Sequence, residues 1–107
     1  GKTVHVLSAK LTLRYLSTAE VAYYYDNNRS YGTLTDLSAK GLLDSRFRSD
    51  VANFDGYSYE GTADNGYFTI TAIADDSSCP SFYINQSLVL HYVNGAPIFD
   101  EEISSSD

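Results

Sequence analysis

At 107 residues, with 43% hydrophobic side chains and ten tyrosines, the chain has the length and composition of one folded domain around one modest core. A formal net charge of −7 argues against nucleic acid as the main partner, because such binding needs a basic surface that displaces counterions. No stretch approaches the roughly 20 consecutive apolar residues that a membrane-spanning helix requires.

The charge is unevenly placed. Lys2, Lys10, Arg14, Arg29, Lys40, Arg46 and Arg48 are all the basic residues, and all precede residue 49, whereas ten of the 14 acids follow it. That polarity suits head-to-tail contact between copies, with a solvated acidic surface as the alternative.

Residues about 4–27 read as the one substantial helix, closed near Asn27-Asn28, where asparagines tolerate left-handed backbone. At 100° per residue, Val4, Leu7, Leu11, Tyr15, Thr18, Val21, Ala22 and Tyr25 gather into a stripe expected to cover a sheet. Val6, Ala9, Leu13, Leu16, Tyr23 and Tyr24 form a second apolar patch on nearly the opposite side, with Lys10, Thr12 and Ser17 between the two. A helix apolar on two opposed faces is either enclosed or shared with another chain, and one small sheet cannot cover both. Tyrosines tolerated at the surface are the alternative. The apolar pattern is already running at Val4 and Val6 with no capping residue ahead, so a partner helix is expected on the first three turns. The expected assembly interface is therefore Val4, Val6, Leu7, Leu11, Leu13, Leu16, Tyr23 and Tyr24.

Residues about 28–55 read as a loop with one or two short helical turns, packed down by Leu34, Leu37, Leu42 and Leu43. From Gly56 the period becomes two. Tyr57 and Tyr59 alternate with Ser58 and Glu60, Asp64-Asn65-Gly66 turns the chain, and Phe68, Ile70 and Ala72 alternate with Thr69 and Thr71. Ser81–Ile84 and Leu88–Tyr92, joined through Asn85-Gln86-Ser87, make a second hairpin. The sheet is thus placed at about 56–99, followed by an acidic tail at 100–107 that is expected to fray. The expected fold is α+β, one N-terminal amphipathic helix on a four-stranded antiparallel sheet.

Residues that carry chemistry are sparse. His5 and His91 are far apart with no companion histidine, no serine sits in a nucleophile elbow, and no glycine loop cradles phosphate. No catalysis and no cofactor are expected. Asp75 and Asp76, with Ser77 and Ser78, offer oxygen ligands for calcium but lack EF-hand spacing, and a solvated loop is the alternative. Cys79 is the single cysteine, so no internal disulfide forms. Asn85-Gln86-Ser87 matches a glycosylation acceptor, a triplet that also occurs by chance.

The run Ala19-Glu20-Val21-Ala22-Tyr23-Tyr24-Tyr25-Asp26-Asn27-Asn28, then Tyr31-Gly32, Leu34, Leu37 and Gly41-Leu42-Leu43, resembles the end of the long helix and the following loop of type IV pilins and type II secretion pseudopilins. Ser81 to Tyr92 resembles their last hairpin. The resemblance covers nearly the whole chain and rests on packing and turn residues. It implies a pilin-like head, in which a long N-terminal helix builds a filament core and a four-stranded sheet lies on that helix's C-terminal half. Two departures stand out: the family's apolar first half-helix is missing, and Cys79 has no mate for the usual C-terminal disulfide.

The first departure is explained by removal of that half, or by a split pilin whose separate short hydrophobic helical chain supplies it; the start at Gly1-Lys2-Thr3 favours the split form. The resemblance implies a structural subunit of an extracellular filament that packs against other copies and that partner chain, meeting the membrane only through the partner, on the periplasmic side of the inner membrane, before assembly. The soluble head of a pseudopilin and a free-standing ligand-binding domain are the other readings.

Overall fold

The computed structural model describes residues 2–96 and Ile98, with side chains from His5 onward. Helix α1 (Lys2–Asp26) is followed by a short helix α2 (Leu34–Ala39) and five strands: β1 (Val51–Phe54), β2 (Tyr57–Ala63), β3 (Phe68–Ala74), β4 (Phe82–Asn85) and β5 (Leu90–Tyr92). The strands form one antiparallel meander in the order β1-β2-β3-β4-β5, and α1 packs across β3, β4 and β5.

No glycine or proline interrupts α1, and alanine, leucine, lysine, arginine and glutamate supply good helix formers along it. It ends where Asn28 takes φ 55°, letting the Arg29 N–H donate back to the Tyr24 carbonyl at 3.0 Å. The Asn27 side-chain amide donates to the Tyr23 carbonyl at 2.8 Å, satisfying a second terminal acceptor. Helix α2 is held by a capping box: Thr33 accepts from the Asp36 N–H, and Asp36 accepts from the Thr33 N–H.

The sheet has five strands, which corrects the expected four. The additional one, β1, lies in the stretch read as loop. Asp55 (φ 52°) and Gly56 (φ 80°) form a two-residue turn with both central residues left-handed, so Phe54 pairs with Tyr57 and Ala52 with Tyr59. The other four strands fall where the period of two places them, with Ile70 opposite Ile84 and Ile84 opposite Leu90. Beyond β5 the chain turns back along it, the Ile98 N–H donating to the Leu90 carbonyl at 2.8 Å.

The larger correction concerns the faces of α1. Ala9, Leu13 and Leu16, assigned to the partner-facing patch, have no solvent exposure and pack in the core with Phe68, Ile70, Phe82, Ile84 and Leu90. Leu11, Tyr15, Thr18, Ala22 and Tyr25, assigned to the sheet, lie outside. Two opposed apolar stripes are equivalent on a helical wheel. The sheet chose the one that carries the small Ala9 and Ala19 and is flanked by residues whose polar ends can be satisfied at close range. Buried Ser17, for example, donates to the Arg14 carbonyl at 2.9 Å, one turn back. Leu13 and Leu16 are therefore internal, not interface.

Aromatic rings fill the rest of the core. Phe47, from the segment before β1, is fully buried and sits 5.5 Å from Phe54 and 6.3 Å from Tyr59 between ring centres. Tyr57 is enclosed too; its hydroxyl donates to the Pro80 carbonyl at 2.7 Å, and burial foremost pushes its proton affinity up to about 12. Among the described residues no helix is long and apolar enough to cross a membrane.

Candidate assembly surface

With one stripe of α1 consumed by the sheet, the opposite stripe defines the surface. Leu11 is 54% exposed and Tyr25 76%; Tyr15 and Ala22 are exposed between them, and Leu7 and Val21 are half-buried. From Leu7 to Tyr25 the stripe runs for about 27 Å at 1.5 Å per residue. Such a length of uncharged leucine, valine, alanine and tyrosine on one ridge is the kind of apolar patch that marks contact with another molecule.

Grooves flank this ridge on its two sides. The first, about 470 Å³, is lined by Leu7, Ser8, Leu11, Thr12, Tyr15 and Arg46, toward the β1 edge of the sheet. The second, about 370 Å³, is lined by Ser17, Thr18, Val21, Ala22 and Leu88, toward β5. Each is open and mostly apolar, shaped to take side chains of an adjacent element.

Polar contacts fix the rims. Arg46 donates from Nε and Nη2 to the two carboxylate oxygens of Asp44 at 2.9 and 2.8 Å, and its guanidinium lies over the rings of Phe54 (4.6 Å) and Phe47 (5.3 Å). Hydrogen bonding from Arg46 is the main reason the Asp44 carboxyl is held down at about 2. Tyr15 is fixed by the Asp44 N–H, which donates to its hydroxyl oxygen at 2.9 Å. On the other side Arg14 donates from Nη1 to the Leu88 carbonyl at 3.2 Å, steadying a turn in which Leu88 adopts φ 64°. A leucine in that region is disfavoured by contact between its Cβ and the backbone, and here it presents its side chain to the second groove.

Of the residues named from sequence as interface, Leu11 lies on the exposed ridge, Leu7 is half-buried against the core at its edge, and Leu13 and Leu16 are enclosed. Val6, Tyr23 and Tyr24 are half-buried, and Val6 and Tyr23 pack against the core. Tyr24 stacks toward Tyr31 at 4.6 Å. The side chain of Val4 lies outside the described residues, as does the tail 100–107. Tyr15, Val21, Ala22, Tyr25, Arg46 and Leu88 belong to the surface without having been named for it. The first four were visible in the sequence as one of the two helical stripes.

The calcium candidates Asp75 and Asp76 lie in the loop between β3 and β4. Asp76 is occupied as a turn residue, its Oδ1 accepting from the Ser78 N–H at 2.9 Å and the Ser78 hydroxyl at 2.7 Å. No group of three or more His, Cys, Asp or Glu side chains that could hold a metal occurs among the described residues. His91 is a strand residue whose ring stacks on Tyr83 at 4.8 Å, and Cys79 is half-buried.

Fold and surface together define an α+β domain built on a helix with one face in its own core and the other bare. No protein-family model matches the chain, and no curated protein or solved structure matches it.

Proposed function

We propose that this chain is a structural subunit of an extracellular, type IV pilus-like filament, working through surfaces without catalysis and assembling through α1 with an apolar helix from another chain. The observation that carries the reading is the bare ridge of Leu11, Tyr15 and Tyr25 on a helix whose other apolar face is already filled by the sheet. The resemblance of residues 19–43 and 81–92 to the pilin and pseudopilin helix end, loop and last hairpin points to the same class, with a fifth strand added at the sheet edge. Covering the ridge would remove several large side chains from water, each favouring association by roughly 1.5–3 kcal/mol before the cost of bringing chains together.

The partner is a short, mostly apolar helix, because the charged residue within the ridge, Arg14, donates to the Leu88 carbonyl, and Arg46 beside it is engaged by Asp44. Membrane contact in this reading comes through that partner before assembly. Mass spectrometry of dissociated native filaments tests it: equal numbers of this chain and a hydrophobic helical chain are expected. Filaments lacking this chain, or wild-type assembly by Leu11→Glu/Tyr25→Glu protein that folds normally, would overturn it.

A further inference from the structure

Where α1 meets the connection to α2, a carboxyl group is sealed inside the protein with too few partners. Glu20 has no solvent exposure. Its Oε1 accepts from the Gly32 N–H at 2.9 Å, and its Oε2 is buried with no hydrogen-bond partner. An ionised carboxylate is acceptor-only with room for about four donors, so a single N–H compensates its loss of water poorly. A protonated carboxyl carries no such charge.

The surroundings reinforce the asymmetry. Burial is the largest influence and raises the proton affinity of Glu20; the Gly32 N–H opposes it, and the negative charge of Asp36 on α2 adds to it, leaving the group at about 7. From the connection, Tyr31 is itself pushed up, by burial foremost, then by Tyr24 and by the Glu20 charge. Among the described residues, Asp36 is the charged group that enters this balance.

Gly32 is also the point of tightest approach. A Cβ there would stand 2.9 Å from the Asp36 Cβ and 3.0 Å from the Tyr23 ring, so this backbone is wedged between α1 and α2. Its neighbour Tyr31 is independently pinned to the sheet, donating its N–H to the Asp64 carbonyl at 3.1 Å and packing its ring 4.8 Å from Phe68. The seat of Gly32 thus depends on Glu20 in a way that the seat of Tyr31 does not, and α2 is held separately by its buried Leu34 and Leu37.

We propose that Glu20 is a proton-operated latch: protonated, it keeps Gly32 seated on α1, and ionised, it releases Gly32 while Tyr31 stays fixed to the sheet and α2 to the core. The device acts on the end of the long helix and is independent of what covers the ridge. Its test uses the isotope-labelled chain in solution between about pH 5.5 and 8, reading the Glu20 carboxyl carbon shift and amide hydrogen exchange corrected for its intrinsic pH dependence. Glu20 titrates above pH 6, and protection of the Gly32 amide falls about tenfold as the carboxyl ionises, while the Ile70 amide in β3 keeps its protection. In Glu20→Gln the Gly32 protection no longer changes with pH. A carboxyl that titrates like an exposed glutamate, or Gly32 protection that is flat in the wild type or equally pH-dependent in Glu20→Gln, overturns the latch. Should Glu20→Gln fail to fold, the wild type decides: coincident midpoints for the carboxyl and Gly32 support the latch, and separate midpoints refute it.

Discussion

The Arg46 guanidinium lies over the Phe54 ring, 4.6 Å from its centre, while gripping Asp44 through two hydrogen bonds, so its charge is already answered within the chain. Little of the Arg46 charge is thus left for the head-to-tail polarity read from the sequence. Arg46→Gln is expected to lower stability by no more than about 1 kcal/mol, because both partners are well exposed and such pairs are screened. The effect should come more from lost stacking than from lost charge, and so vary little with salt. The Asp44 carboxyl, depressed to about 2, contributes above its ordinary range near 3.8, and the contribution disappears as pH falls through 2. Denaturant titrations at low and high salt check this; a stability loss that vanishes at high salt would restore the electrostatic role.

Leu11 and Leu16 separate the two faces of α1. Leu16 is enclosed and Leu11 largely bare. Leu16→Ala should cost about 2–5 kcal/mol, whereas Leu11→Ala should stay within about 0.5 kcal/mol. Urea unfolding of the two variants measures the contrast, and the reverse order would return Leu16 to the interface.

Stability should decline with rising pH across the range in which Glu20 loses its proton. The folded protein holds the Glu20 proton up to about 7, against 4.5 for the unconstrained group, so the folded state binds more protons between these values. Stability is therefore highest below about pH 4.5 as far as this residue is concerned, falls through the interval, and is level above 7. The full change is bounded at about 3 kcal/mol. Glu20→Gln should remove that slope, giving a variant favoured over wild type at pH 8 more than at pH 5. Thermal melts at a series of pH values would show it, and parallel curves for both proteins would exclude it.

The Asp55-Gly56 turn should be intolerant of a side chain at its second position. Gly56 has φ 80°, and an added Cβ would lie 3.4 Å from His5 Nδ1. Gly56→Ala is expected to cost about 1–2 kcal/mol through the left-handed backbone. The loss should appear first as faster amide exchange in β1, which among the described strands pairs with β2 alone. Unchanged exchange at Val51–Phe54 would contradict the turn assignment.

Much of the architecture was legible in the residues. An uninterrupted run without glycine or proline specifies α1, alternation specifies β2 to β5, and the asparagines at 27 and 28 specify the helix end, because these are local properties of backbone and side-chain period. Strand β1 was legible as well: Asp-Gly between Phe54 and Tyr57 is a hairpin signal, but four residues are too short for alternation to stand out. That α1 is apolar on two sides was also in the sequence. Which side the sheet covers was not, since a helical wheel fixes angles between residues and leaves the orientation of the whole helix free. Packing settled it, drawing Ala9, Leu13 and Leu16 inward and leaving Leu11, Tyr15 and Tyr25 outside. The same choice carried Glu20 into the interior, where nothing in its sequence neighbourhood announces a buried acid, because burial and the approach of the Gly32 backbone are properties of the assembled fold alone.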